Sequence, residues 1–570
     1  MNRKEKVYAF LLHQASVPLS EDEIAAMLCV PPRERFELTL ILEKLALSGQ
    51  IDHHRGRYSV KKKLSDEAVL SGILHSHKFS SVFPEEVQRA ADKIPASVRS
   101  TEGRQDLRSL LTFTIDGQDA RDFDDAISIE ETGKGYRLYV HIADVSHYVK
   151  NNGAIDREAF ARGTSCYLPD RAVPMLPLAL SHGICSLNPN VDRLTLTTCM
   201  ELDRDGRLLS FDVQEAVIRS DFRLVYEEVT AWLERGYADQ KHEAVFPALQ
   251  CLDALCARLS MRRKEKGSID FNLPEPQIVF DKQGHATDIQ TRAEGRANRM
   301  IEDCMVLCNR VIAEYIFHLG APFVYRVHEA PDSEKLERLS AALSLLGLSF
   351  PGKFTGKKAA SLLESEAGSE REHIVSTLLL RSMMKAQYSH ENMGHFGLGL
   401  EYYCHFTSPI RRYPDLLCHR IVKAVLQGEN YEKYAAKVRR AALASSDREE
   451  AAAEAEREAV RYLMCRCMEA HVGEDFTAVI SSVTDFGFFI ALPNLVEGLV
   501  HVKDLGDDYY IFDEKTLSLT GKHGGEVYRL GQTVNVRLAR VDSALSRMDF
   551  VLQEALESGK NNRTKQKSKA

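Results

Sequence analysis

At 570 residues the chain has room for several domains and sizeable cores. Its 44% hydrophobic and 27% charged content is that of a globular protein; no run approaches the ~20 apolar residues of a membrane span, and MNRKEKVYAF has no signal-peptide core. The net charge of -8 gives no overall attraction for nucleic acid, so such a partner must meet local basic surfaces, and the twelve scattered cysteines, with no CxxC pair, are expected to be reduced.

Residues 1–60 read as helices followed by a hairpin. SEDEIAAMLCV opens with a Ser-x-x-Glu capping box at Ser20 and Glu23. RFELTLILEKLALSGQI then repeats apolar residues at helical spacing and ends in Gly49 and Gln50, before Ile51. In IDHHRGRYSV a basic, glycine-bearing turn separates two short strands. The pattern predicts a winged helix-turn-helix, with direct nucleic-acid contact or protein docking as its two readings. Residues 61–104 begin with Lys61, Lys62 and Lys63 and continue as a polar, partly helical connector.

From 105 to 470 strands and helices mix without a break, which predicts one large α+β domain. It contains TIDGQDARDFDDAISIE, in which Asp116, Asp119, Asp122, Asp124 and Asp125 crowd together. Two carboxylates about 4 Å apart repel by ~4 kcal/mol at an effective dielectric near 20. A solvated acidic loop fits poorly, because Leu111, Phe113, Ile115, Ile127 and Ile129 flank the run like strand residues in a core. A half-buried acidic cluster keeps its charge only beside cations. All-oxygen ligands without His or Cys favour Mg2+ or Mn2+ over zinc, and the spacing is not that of an EF-hand. Two such ions ~3.5–4 Å apart would serve the attacking water and leaving oxygen of a phosphodiester. The domain ends in DREEAAAEAEREAVRYLMCRCMEA, rich in Ala, Glu and Arg, which predicts a long helix.

Residues 472–555 change texture. FTAVISSV, GFFIAL, GLVHV and TVNVRLARV predict short strands of a small closed barrel, and SSVTDFGFFIALPNLVEGLVHVKDL resembles an S1-type RNA-binding OB domain. Phe486, Phe489 and His501 are its candidate base platform, with Phe488 the core residue between them. A bulge at Gly487 is expected to bring Phe486 and Phe489 onto one face. Bases stacked on such a platform gain ~1–3 kcal/mol each. The basic tail, residues 556–570, is expected to be disordered and to add nonspecific attraction for RNA.

A carboxylate cluster joined to a nucleic-acid barrel points to a nuclease or polymerase. TIDGQDARDFDDA further resembles the active-site signature of the ribonuclease II/ribonuclease R family, exoribonucleases built on an RNB catalytic domain. GTSCYLPDRAVPMLPLALSHGICSLNP, MIEDCMVLCN, YRVHEAPD and MGHFGLGLEYYCHFTSPIRRYPDLLCHR resemble further family blocks in the same order. With a winged helix in front, the ribonuclease R branch is the nearer one.

The resemblance implies roles by position. Asp116 and Asp125 match direct metal ligands, Asp122 shares the coordination, and Asp124 positions the nucleophilic water or a second ion. Asp119 falls where the family is less strict and is expected to face solvent. Arg411 matches the arginine that holds the scissile phosphate; Arg412 and Tyr413 read as phosphate-tracking or packing neighbours. Tyr167 matches the aromatic that stacks on the last bases, on a loop stiffened by Pro169, Pro174 and Pro177. Phe271 is the candidate opposite face of that clamp. Glu302 is a candidate reader of the ribose 2′-hydroxyl, with helix capping or a salt bridge as the competing reading. Glu456 matches a family glutamate near the site.

One departure stands out. Family members carry two cold-shock barrels ahead of the catalytic domain, and residues 61–104 are too few for one. The implied function is processive, Mg2+-dependent 3′→5′ hydrolysis of single-stranded RNA to nucleoside 5′-monophosphates, acting on RNA with a free 3′ end. A cytoplasmic monomer without membrane contact is expected, with association to ribosomes or RNA-decay machinery left open. The alternatives are a catalytically weak RNA-binding regulator built on an RNB domain, against which all four aspartates and Arg411 argue, and an endonuclease or DNA-acting phosphodiesterase.

Overall fold

The computed structural model describes residues 4–553 except 5, 6, 9, 12–18, 29, 48–50, 55, 61–64, 272, 273, 293, 351, 370, 507, 514 and 515. The Lys61–Lys63 run and the basic tail lie outside the described residues.

The N-terminal unit has the winged-helix plan. Helices Glu21–Met27 and Arg35–Leu47 lie in the chain between the first strand and the hairpin of a three-stranded sheet ordered Leu19–Ser20, Arg57–Val60, Ile51–His54. Ser20 and Glu23 form the reciprocal capping box, Glu23 N–H donating to Ser20 Oγ and Ser20 N–H to Glu23 Oε2. Ile24, Leu38, Leu42, Leu45 and Ile51 fill its separate core.

The connector is less polar a spacer than its sequence suggests. Helices Asp66–Ser76 and Glu85–Ala91 occupy it, and no barrel precedes the catalytic sheet among the described residues. Asp66 accepts hydrogen bonds from Tyr462 Oη at 2.6 Å and Arg466 Nε at 2.8 Å. Arg162 donates to the carbonyls of Ser80 and Val82 and lies 3.8 Å over the Phe83 ring. The segment is a strap across the catalytic domain.

That domain is built on a seven-stranded mixed sheet ordered Phe222–Val225, Phe113–Asp116, Asp125–Thr132, Gly135–Ala143, Asp192–Asp203, Leu208–Arg219 and Gln105–Asp106. Phe113, Ile115, Ala126, Ile127, Val140 and Leu196 share one apolar core with helices Phe246–Lys266, Arg296–His318 and Tyr413–Leu426. Three more helices, Ser333–Leu345, Gly356–Glu366 and Glu372–Ser382, enclose a smaller core around Leu339, Leu343, Val375 and Leu379.

The predicted long helix begins earlier than its Ala/Glu/Arg-rich stretch and spans Ala435–Met468, about 50 Å at 1.5 Å per residue. Its first half packs in the catalytic core through Val438 and Ala441. Its second half, through Ala459, Tyr462 and Leu463, joins the core of the C-terminal barrel. One rod thus fixes barrel to catalytic domain. The barrel is closed by five strands, Asp475–Thr484, Gly487–Ala491, Glu497–His501, Arg547–Leu552 and Thr533–Asp542, and carries a small extra sheet over 510–529. No helix among the described residues is long and apolar enough to cross a membrane, and the eleven described cysteines are unpaired.

Candidate active site and RNA-facing surfaces

The sheet register explains why the aspartates meet. Asp116 ends one strand and Asp125 begins its antiparallel neighbour, opposite Ile142. The loop between them is held from several sides. Phe123 N–H donates to Ser186 Oγ, Ala143 N–H to the Asp124 carbonyl, and Arg223 reaches the carbonyls of Gly117 and Gln118. Phe123 is buried in the apolar core beneath this loop. Asp124 is 4% exposed; its Oδ1 accepts from Ile410 N–H at 2.8 Å, and its Oδ2 lies 3.8 Å from Arg411 Nε. Asp119 is exposed, as expected.

Burial dominates the electrostatics. It raises the Asp116 carboxyl to about 8, with Asp125 and Asp122 adding repulsion. Burial likewise raises Asp125 to about 6 against the pull of Arg411 and Arg412, and holds Asp124 well above the carboxylate range despite Arg411 and the Ile410 amide. Asp116 Oδ2 and Asp124 Oδ2 are buried without hydrogen-bond partners. The donor set is all carboxylate oxygen, a chemistry that suits a hard divalent cation such as Mg2+ or Mn2+. Among the described residues no three such side chains already stand in ligand geometry, so the four carboxylates are neighbours without forming a closed shell.

The segment carrying Arg411 is tied to this cluster and to Tyr167. Asp415 Oδ1 accepts from Ser408 N–H at 2.8 Å and from Arg412 Nη2 at 2.7 Å, bracketing Arg411. The Arg411 carbonyl accepts from Ser165 N–H, and Tyr413 N–H donates to the Gly163 carbonyl. Arg411 keeps its guanidinium 44% exposed, with Nη2 on Ser408 Oγ. Arg412 and Tyr413 are structural: Arg412 is held by Asp415, and the fully buried Tyr413 donates to Asp156. Tyr167, 37% exposed, lies in the two-residue strand Cys166–Tyr167 and donates from Oη to Asp122 Oδ2 at 3.0 Å. Its ring is therefore anchored on the acidic cluster.

The other candidates are engaged in contacts of their own. Phe271 is half-buried against the small helical core beside Ile269 and Leu343, where it packs as an apolar residue. Glu302 is engaged by Arg263 Nη1 at 2.9 Å, so the salt-bridge reading describes it. Glu456 is exposed on the long helix and acts electrostatically on Cys166, the residue before Tyr167. The spacing missed Tyr226. It follows the strand whose Val225 pairs with Asp116, and its hydroxyl is raised by burial and then by Asp125 and Asp116. Only that strand register could have found it.

On the barrel, Phe486 (44% exposed) and Phe489 meet edge to face with centroids 6.2 Å apart. His501 is the register partner of Gly487, while Phe488 is fully buried. The expected bulge at Gly487 is absent: Phe486 sits in the turn before the strand, and the register shift falls across Ile480 and Ser482 on the neighbouring strand. Gly487 is required for another reason. At φ +147° it approaches the next strand so closely that a Cβ would lie 2.2 Å from the Val500 carbonyl.

Comparison with known proteins agrees with this layout. The RNB domain family model matches residues 104–428, and the S1 RNA binding domain model matches 469–552. Ribonuclease R of Aquifex aeolicus is 44% identical over 85% of this chain and 70% of its own length. Ribonuclease R of Thermotoga maritima is 43% identical over 83% and 68%, and that of Escherichia coli 40% over 84% and 61%. Among solved structures, the apo form of Mycoplasma genitalium RNase R superposes with a TM-score of 0.82 at 30% identity, covering 87% of this chain and 80% of that one. The same enzyme in complex with ribose methylated single-stranded RNA matches equally well.

Proposed function

The chain belongs to the ribonuclease R family of RNB-domain exoribonucleases, and on that premise we propose how its residues degrade RNA from the 3′ end. The carrying observation is the convergence of Asp124 and Arg411, 3.8 Å apart, beside the carboxylates of Asp116, Asp122 and Asp125. Asp116, Asp122, Asp124 and Asp125 would hold Mg2+ or Mn2+, which when bound would supply Lewis-acid polarisation of the phosphoryl group and a more acidic water.

The 3′-terminal base stacks on Tyr167, whose hydroxyl is pinned by Asp122. Arg411 projects its half-exposed guanidinium at the scissile phosphate and stabilises the charge that grows on the non-bridging oxygens. Asp124 Oδ2, the oxygen without a hydrogen-bond partner, accepts a hydrogen bond from the attacking water and aligns it. The water oxygen bonds to phosphorus, the bond to the 3′ oxygen breaks, and the proton that the water gives up ends on that 3′ oxygen. A nucleoside 5′-monophosphate leaves, and the shortened strand carries a new 3′-hydroxyl. Phe486, Phe489 and His501 hold the upstream strand by stacking.

This reading makes the protein a cytoplasmic monomer whose substrate is RNA with a free 3′ end, including duplexes with a 3′ overhang. A linear RNA and its circularised form, digested in parallel with Mg2+, test it. The linear strand should disappear and the circle persist; cleavage of the circle at a similar rate would show an endonuclease.

A further inference from the structure

A second charged recess lies at the opposite end of the catalytic sheet. Asp125 pairs with Ile142 at the active-site end of its strand, whereas Gly135 pairs with Asp203 at the other end. The turn that follows, Gly206–Leu208, lines a recess of about 70 Å³ together with Arg262, Arg263, Lys266 and Arg310. That is several times the ~10–15 Å³ a single water needs. Arg263 is neutralised by Glu302 at 2.9 Å and by the buried Asp303 at 2.9 Å. Among the described residues no ion pair engages Arg262, Lys266 or Arg310, and Arg310 Nε is buried without a hydrogen-bond partner. Glu314 attracts both Lys266 and Arg310, but burial together with the neighbouring arginines outweighs it and holds the Lys266 ammonium below its usual range. Asp303 is the carboxylate on this lining and is paired with Arg263, which leaves Arg262, Lys266 and Arg310 in excess over it.

Lys266 and Leu400 also line the adjoining cleft of about 840 Å³. There Phe317 is 43% exposed and its ring lies 4.8 Å from that of Tyr402, giving an apolar aromatic surface in the cleft that Lys266 also lines. Glu329 and Glu401 line the same cleft. Carboxylates there can accept hydrogen bonds from sugar hydroxyls and would repel a continuing phosphate backbone, which favours one phosphate over a strand.

We propose that this recess and cleft bind a nucleoside monophosphate, its phosphate among Arg262, Lys266 and Arg310 and its base against Phe317 and Tyr402. The choice of a monophosphate rests on the hydrolytic reading above, but the binding test does not. Radiolabelled AMP is dialysed to equilibrium against the full chain in EDTA, which removes divalent ions from the catalytic carboxylates.

Saturable uptake is expected. Lys266→Gln, an exposed position, and Arg310→Gln should each weaken it by at least about tenfold through loss of a charge-assisted contact, while Arg411→Ala leaves it unchanged. Lys266→Gln should also melt like the parent and hydrolyse RNA at the parent rate. Absence of AMP uptake would overturn the proposal, as would uptake that Arg411→Ala removes and Lys266→Gln does not. A third arm uses a single-stranded oligonucleotide in EDTA. If Lys266→Gln weakens the oligonucleotide and the parent takes up no AMP, the recess is an RNA-backbone contact and the nucleotide assignment is wrong.

Discussion

Asp124→Asn separates chemistry from folding more cleanly than any other substitution in the cluster. The amide is isosteric, and its oxygen can still accept from Ile410 N–H, now at 2.8 Å. What disappears is the negative charge 3.8 Å from Arg411 and the unpartnered Oδ2 proposed to align the water. At that separation the pair is worth between ~1 kcal/mol in water and ~4 kcal/mol at an effective dielectric near 20, and the 44% exposure of Arg411 places it below the upper figure. The fold should tolerate this loss, because burial already opposes ionisation of Asp124. The thermal midpoint is therefore expected to stay within a few degrees of the parent or to rise. The transition state should not tolerate it: removing one preorganised electrostatic contact typically costs about 10²–10³-fold in rate. Single-turnover digestion of 5′-labelled RNA measures the rate, and filter binding of the same RNA in EDTA should give unchanged or tighter affinity. Asp119→Asn, at an exposed position, is the internal control and should remain active. A variant at position 124 that digests RNA within about threefold of the parent would refute the assignment.

Tyr167→Ala should lengthen the terminal oligonucleotide left undigested, since a lost stacking partner costs ~1–3 kcal/mol on the last bases; unchanged end products on a sequencing gel would remove Tyr167 from the clamp. Deleting residues 472–570 should weaken RNA binding and flatten its salt dependence, with a slope of roughly -0.7 per phosphate contact, more than deleting residues 1–60. Titration across a salt series decides this, and an equal loss for both truncations would make the winged helix a primary RNA contact. Asp144→Asn tests the buried ion network. Burial pushes this carboxyl up, but Lys423 at 2.8 Å and Arg104 at 2.6 Å outweigh it and hold it far below its usual range. A depressed folded-state pKa contributes stability that is present above the unfolded value near 4 and lost as pH falls further. The variant should therefore be ~3–5 kcal/mol less stable at pH 7 and approach the parent as the pH drops below ~4, read from urea midpoints across pH; a pH-independent difference would contradict the assignment.

The carboxylate cluster was legible because its contradiction is local: five aspartates within ten positions are flanked by strand-like apolar residues. Arg411 and Tyr167 needed the family resemblance, since nothing local says that residues so distant in sequence will be stitched together by the Ser165–Arg411 and Tyr413–Gly163 hydrogen bonds. Tyr226 was hidden for a related reason: its place depends on the parallel pairing of Val225 with Asp116. Phe488 was readable from alternation as the buried residue between the exposed Phe486 and the half-buried Phe489, but the device that aligns those rings was not. A turn residue and a close strand contact at Gly487 replace the anticipated bulge. Residues 61–104 looked like a spacer because their anchoring groups, such as Asp66, bind partners on the far long helix.

The central claim is metal-assisted hydrolysis of RNA from its 3′ end by the Asp116, Asp122, Asp124, Asp125 and Arg411 constellation. Its most direct test is digestion of 5′-labelled single-stranded RNA beside DNA of the same sequence, each with Mg2+ and with EDTA. The account predicts that RNA with Mg2+ shortens to a short labelled end product while unlabelled nucleoside 5′-monophosphates accumulate, that the DNA persists, and that EDTA stops the reaction. Internal fragments appearing first, DNA consumed at the RNA rate, or undiminished digestion in EDTA would contradict it.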